Sequence, residues 1–141
     1  MPRSAAEPST EALVLDASAV VEALLGTEIG IRVRERMRGH RLHAPAHLDA
    51  EVLSVIGRIQ RAGEVQEETV ERALSRLAAA PIQRHPLPSL LAGAWARRAR
   101  LRLVDALYVE LASGLAPAPL LTTDARLARS HPGAELVLAD S

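Results

Sequence analysis

The sequence predicts an α/β domain with a mainly parallel central sheet, and three observations carry that reading. Short apolar runs alternate along the chain with longer stretches of helical periodicity. Two of these runs stop abruptly at an aspartate, Asp16 and Asp124, as buried strands do where they open into a helix. The length, 141 residues with 48% hydrophobic and 24% charged, suits one core and is too short for two.

The elements follow in order. Ala12 to Leu15 is the first buried strand, and Ser18 to Leu25 a helix stopped by Gly26. Thr27 caps a second helix that runs to Gly39, with Arg32, Arg34, Arg36 and Arg38 on its outer face. Leu42 to Ala44 is a short strand before Pro45. Ala46 to Arg61 is a strongly patterned helix, since Leu48, Val52, Val55, Ile56 and Ile59 make one apolar stripe. Gly63 ends it. Glu67 to Ala80 is a helix with Val70, Leu74 and Leu77 inward, stopped by Pro81, and Ile82 to Pro86 a third short strand. Leu90 to Arg100 and Asp105 to Leu115 are helices divided by an irregular stretch around Arg102. Leu120 to Thr123 is a strand, Ala125 to Ser130 a helical turn or two, and Leu136 to Leu138 the last strand. Residues 1–10, polar and holding two prolines, read as a loose arm, leaving a single domain over 11–141.

Bulk properties narrow the function classes. No apolar run approaches the roughly 20 residues that span a bilayer, and the N-terminus has no signal-peptide pattern. The chain has no cysteine, which excludes thiolate metal sites and fits a reducing cytoplasm. Net charge is zero, which argues against a general attraction to nucleic acid. All 17 basic residues are arginines, however, and a local patch of these planar forks can still grip phosphate. With no Phe and little other aromatic content, stacking of bases on aromatic platforms is a poor model.

Acidic residues carry the chemistry. Asp16 and Asp124 fall where ligands bind in open parallel sheets, beyond the carboxyl ends of strands, although each also suits a helix N-cap. Asp105 lies beside the apolar arc of its helix, with Leu101, Val109 and Ala112 as wheel neighbours, while Glu110 points to the opposite, wet face. Glu51 sits at one edge of the stripe of its helix, one turn from His47, with Asp49 near the other edge as its competitor. If Asp16, Glu51, Asp105 and Asp124 converge, their charges raise one another's pKa unless divalent cations neutralise them. Mg²⁺ or Mn²⁺ suits such an all-oxygen set, and a pair of such ions can activate water on a phosphodiester. Ser18 and Thr122, each two residues from an aspartate, are expected to orient the carboxylates.

Four segments then show a family resemblance: Val14-Leu-Asp-Ala-Ser-Ala19, the helix with Glu51-Val-Leu-Ser54, Asp105-Ala-Leu-Tyr-Val-Glu-Leu-Ala112, and Leu121-Thr-Thr-Asp-Ala-Arg-Leu-Ala128. In order and content they resemble the four acidic motifs of the PIN-domain family, the last two particularly those of the VapC group. The resemblance runs from about Leu13 to Leu138. It implies a three-layer α/β/α fold and cleavage of single-stranded RNA with Mg²⁺ or Mn²⁺. It also implies a toxin held by a VapB-type antitoxin, and a homodimer. By this match Asp16, Glu51, Asp105 and Asp124 are the catalytic and metal-binding set, with Ser18 and Thr122 in support. Val104 departs from the polar or aromatic residue that many relatives carry before the third motif's aspartate.

Arg97, Arg98, Arg100 and Arg102 form the densest basic cluster. Arg97 and Arg98, together with Arg126, are the candidate RNA phosphate contacts, against the alternative of solvated helix ends. His47 reads as a surface histidine, Trp95 and Tyr108 as packing residues. Two other functions compete: a metal-dependent phosphohydrolase with Asp16 as nucleophile, and a catalytically silent RNA-binding or interaction protein of the same fold. The first expects a second aspartate where Ser18 stands; the second expects a lost acid, and none is lost.

Overall fold

The computed structural model describes residues 11–139, so the expected arm over 1–10 lies outside the described residues. Strands β1 (Ala12–Leu15), β2 (Arg41–Pro45), β3 (Ile82–His85), β4 (Leu120–Thr122) and β5 (Ala134–Leu136) form one sheet in the order β3-β2-β1-β4-β5. Every neighbouring pair is parallel, so the predicted mainly parallel sheet is wholly so. In the central strand Leu13, Val14 and Leu15 are all 0% exposed, which requires cover on both faces and makes the domain three layers deep. Around helix α1 (Ala17–Leu25) pack α2 (Glu28–Met37), α3 (Leu48–Arg61) and α4 (Glu67–Ala79). Helix α5 (Leu91–Ala96) packs on α6 (Leu103–Gly114), which lies on β1, β2 and β4; α7 (Ala125–Ser130) packs on β4 and β5.

The chain runs outward from β1 through β2 to β3 and then returns to β1's other side as β4. The strand order therefore reverses at the β1–β4 pair, and a crevice opens beyond their carboxyl ends. Asp16 and Asp124 stand there, each capping the helix that follows: the Asp16 Oδ1 accepts from the Ala19 N–H at 2.9 Å, and the Asp124 Oδ1 from the Arg126 N–H at 2.9 Å. One close approach fixes the helical layer. Gly30 of α2 lies so near α1 that a Cβ there would sit 1.9 Å from the Glu22 carbonyl oxygen.

Several expectations need correction. The last strand is Ala134–Leu136, two residues earlier than its apolar pattern suggested, because Thr122 pairs with Leu136. Leu90 to Arg100 divides into a 3-10 turn at Pro88–Leu90 and the short α5. Helix α6 begins at Leu103 rather than at Asp105, which puts Asp105 inside its first turn. Ala73, not Leu74, is the buried partner of Leu77 on α4, four residues before it and so on the same helical face. Arg36 does not face solvent freely: it makes a two-pronged contact with Glu135 of β5, at 2.6 and 2.9 Å. Trp95 is not a packing residue; it is 57% exposed beside Leu91, Leu103 and Val104, with the Arg98 guanidinium over its ring. Among the described residues no helix is long and apolar enough to cross a membrane.

Candidate functional site

Asp16 is 5% exposed, and its carboxylate is held by its own neighbourhood. Ser18 Oγ donates to Oδ1 at 2.7 Å, the Ala19 N–H donates to the same oxygen, and Thr122 Oγ1 makes a very short bond to Oδ2. The two hydroxyls are themselves fixed: Ser18 Oγ accepts from the Thr123 N–H and Thr122 Oγ1 from the Asp124 N–H, both at 3.0 Å. The β1–α1 and β4–α7 turns thus interlock, and Asp16 has one orientation. Burial pushes its carboxyl up to about 6, against the lowering effect of Thr122, Ala19 and Ser18; the nearby charge of Asp124 adds least. The mutual repulsion expected to raise the pKa of these carboxylates is therefore secondary to burial at Asp16.

Glu51 is reached from α3 and α6. Tyr108, 1% exposed, donates its hydroxyl to Glu51 Oε1 at 2.6 Å. His47 points its Nε2 between Glu51 Oε1 and the carbonyl of Val104, each 3.2 Å away. Acceptors on both sides make Nε2 the protonated nitrogen. Burial alone would raise the Glu51 carboxyl, but the bonds from His47 and Tyr108 and the charges of His47 and Arg102 hold it below its usual value. Burial and Glu51 together push the Tyr108 hydroxyl far up, so it stays a donor. His47 is accordingly no surface residue: its ring packs 4.7 Å from that of Tyr108 and its side chain is largely covered. Asp49, the competitor, is spoken for by Arg84, which grips it at 2.9 and 3.2 Å while donating to the carbonyls of Leu77, Ala80 and Ile82.

Asp105 is turned inward, its side chain 14% exposed, and Arg102 Nε meets its Oδ2 at 3.1 Å. Asp124 has Arg126 at 4.0 Å. The structure brings Asp16, Glu51, Asp105 and Asp124 to one cleft of about 400 Å³, together with Ser18 and Tyr108. Glu22 joins them as a fifth carboxylate, and Arg58 and Arg102 are the cations on its walls. Glu22 escaped the sequence reading, although its spacing of four from Ser18 placed it on the same face of α1. Arg97 and Arg98 do not line the cleft. Arg97 is bound to Glu110 at 3.1 Å and to Ser113 at 3.2 Å, which also takes Glu110 out of open solvent, and Arg98 covers Trp95.

The donor set is oxygen only and comes from β1–α1, α3, α6 and β4–α7, the chemistry that hard divalent cations select. Among the described residues, no three His, Asp or Glu side chains are gathered tightly enough to hold one ion as they stand. Asp105 is turned onto Arg102 instead. The Arg102 side chain is 64% exposed and meets Asp105 through one contact, the kind of ion pair that holds its partners weakly.

Comparison with known proteins identifies the family and the fold. A model of the PIN domain matches residues 13–130. Ribonuclease VapC3 of Mycobacterium tuberculosis is 54% identical over 128 residues, 90% of this chain and 93% of that protein. Ribonuclease VapC12 of the same organism is 39% identical over 119 residues, 84% of this chain and 92% of that one. Among solved structures, a toxin–antitoxin complex from Klebsiella pneumoniae superposes with a TM-score of 0.66 at 16% identity, covering 91% of this chain and 99% of that chain; it speaks to the fold.

Proposed function

Because this chain belongs to the PIN domain family, among the VapC ribonucleases, we propose that it is a metal-dependent endoribonuclease cutting single-stranded RNA, the toxin of a VapBC-type module. The observation that carries the reading is the convergence of Asp16, Glu51, Asp105 and Asp124, from four separate elements, on one cleft at the switch point of the sheet.

In this reading the four carboxylates hold Mg²⁺ or Mn²⁺. When bound, such ions supply positive charge at the attacking water and at the departing oxygen of a phosphodiester. The chain's own contribution is orientation. Ser18 and Thr122 keep Asp16 aimed into the cleft; Tyr108 and His47 keep Glu51 ionised and fixed; Arg102 neutralises Asp105 until it is displaced. Arg126, 4.0 Å from Asp124, remains a phosphate contact in this scheme, whereas Arg97 and Arg98 serve the α5–α6 surface. A VapB-type antitoxin, a homodimer and a cytoplasmic setting complete the proposal, resting on the family.

The test is incubation of the protein with an unstructured RNA and Mn²⁺ or Mg²⁺. Cleavage that EDTA abolishes is expected. Asp16→Asn and Asp105→Asn should each lower the rate by roughly two orders of magnitude or more, the scale for losing preorganised charge at a transition state, with unchanged circular dichroism. Full activity in either variant contradicts its role. Expression without the antitoxin should arrest growth, and light scattering reads the oligomer.

A further inference from the structure

The cleft is a poor host for a polyanion. Five carboxylates line it against two guanidiniums, and one of those, Arg102, is committed to Asp105. Of the arginines that sequence alone offered for phosphate, Arg97 is paired with Glu110 and Arg98 lies on Trp95, while Arg126 is outside the cleft lining with Asp124 4.0 Å away. Arg58 differs from all of them. It lines the cleft from α3, its side chain is exposed, and among the described residues no carboxylate or carbonyl engages its guanidinium. It also stands seven residues beyond Glu51 on the same face of α3, with Val55 between them at the cleft wall. Seven residues of helix rise by about 10 Å, so Arg58 sits beyond the acidic centre rather than within it.

From this placement we infer that Arg58 is a substrate-positioning residue, its guanidinium gripping a backbone phosphate of the RNA next to the one that is cut. The inference rests on the ribonuclease reading. It assigns α3 two tasks on one stripe: Glu51 at its near end to the acidic centre, Arg58 two turns on to the strand that must be drawn over it. A planar two-pronged donor fits a phosphate's paired oxygens, and an unpaired one needs no internal contact broken to do so. Val55 and Ile59, which pack on the core and line the same cleft, give a long arginine side chain apolar surface beside it on α3.

The experiment measures binding of a fluorescent single-stranded RNA by anisotropy in EDTA, where nothing is cut, together with steady-state cleavage in Mn²⁺. Arg58→Gln is expected to weaken RNA binding about tenfold, to reduce the slope of log K against log salt by about 0.7, and to raise KM far more than it lowers kcat. Arg58→Lys should recover part of the affinity, while Mn²⁺ binding by calorimetry and the melting temperature stay at the wild-type values. Arg98→Gln, remote from the cleft, should leave RNA affinity within about twofold. If wild type binds and cuts RNA but Arg58→Gln matches it in affinity and salt slope, this inference is overturned alone. If wild type neither binds nor cuts RNA, the ribonuclease reading is overturned, and this inference with it.

Discussion

Among the described residues Asp16 carries the carboxylate charge most disfavoured by burial, and its discomfort is measurable. Burial holds its carboxyl at about 6 instead of 3.8, so the folded protein binds that proton more tightly than the unfolded chain does. The stability contributed by protonated Asp16 is therefore present in full below about 3.8 and lost as pH rises through about 6, on the order of 3 kcal/mol in all. In EDTA, the unfolding free energy of wild type should fall relative to that of Asp16→Asn between about pH 4 and pH 7. Urea titrations across that window check it, and a difference independent of pH would contradict the buried, ionisable state. Arg102 gives a second residue-level prediction. Removing it in Arg102→Gln releases Asp105 from a mostly exposed ion pair, worth up to about 1 kcal/mol, so Mn²⁺ should bind up to about fivefold tighter. Calorimetry showing weaker binding would mean that Arg102 organises the site instead of competing for it. What sequence could read at this scale was local: Ser18 beside Asp16 and Thr122 beside Asp124 announce themselves by spacing of two. The grip of Arg84 on Asp49, 35 residues apart, and of Tyr108 on Glu51, 57 apart, has no such signature.

Helix α3 shows how an element sorts residues that its sequence leaves tied. Asp49 and Glu51 both sit near edges of its apolar stripe, and periodicity cannot choose between them. Packing chooses: α3's one edge faces β3 and α4, where Arg84 ties Asp49 to three carbonyls, and the other faces α6, where Tyr108 and His47 meet Glu51. Asp49→Asn is accordingly expected to cost about 1 kcal/mol of stability, since the pair is partly exposed, and to leave cleavage near wild type. Glu51→Gln should do the reverse, keeping the fold while losing activity; equal losses in the two variants would refute the division. At the α1–α2 crossing, Gly30→Ala would thrust a methyl group at the Glu22 backbone, and about 3 kcal/mol of destabilisation is expected from urea unfolding. The element boundaries set by stop signals were legible, as with Gly26 at +67° and Gly63 at +78°. Those set by partners were not: β5 takes its register from β4, and α6 starts early because Arg102 supplies the extended residue before it.

At the scale of the whole molecule, alternating strands and helices revealed a parallel sheet but not its order, because no local pattern says that β4 returns to the far side of β1. That return is what makes a site. It sets Asp124 against Asp16, while α6, lying across β1, β2 and β4, brings Asp105 and Tyr108 toward α3. An ion shared by these carboxylates would therefore tie together segments from the beginning, middle and end of the chain, and its binding free energy would be folding free energy. At Mn²⁺ about 100 times its dissociation constant the gain is about 2.7 kcal/mol, or roughly 8 °C in Tm for a domain of this size. The effect should grow from acid to neutral pH, since a proton on Asp16 competes with the cation below about 6. Asp16→Asn should lack most of the shift at every pH, and Asp49→Asn should keep it. Calorimetric melts of wild type and both variants, with Mn²⁺ and with EDTA, decide the matter: a shift that survives in Asp16→Asn would place the cation somewhere other than this cleft.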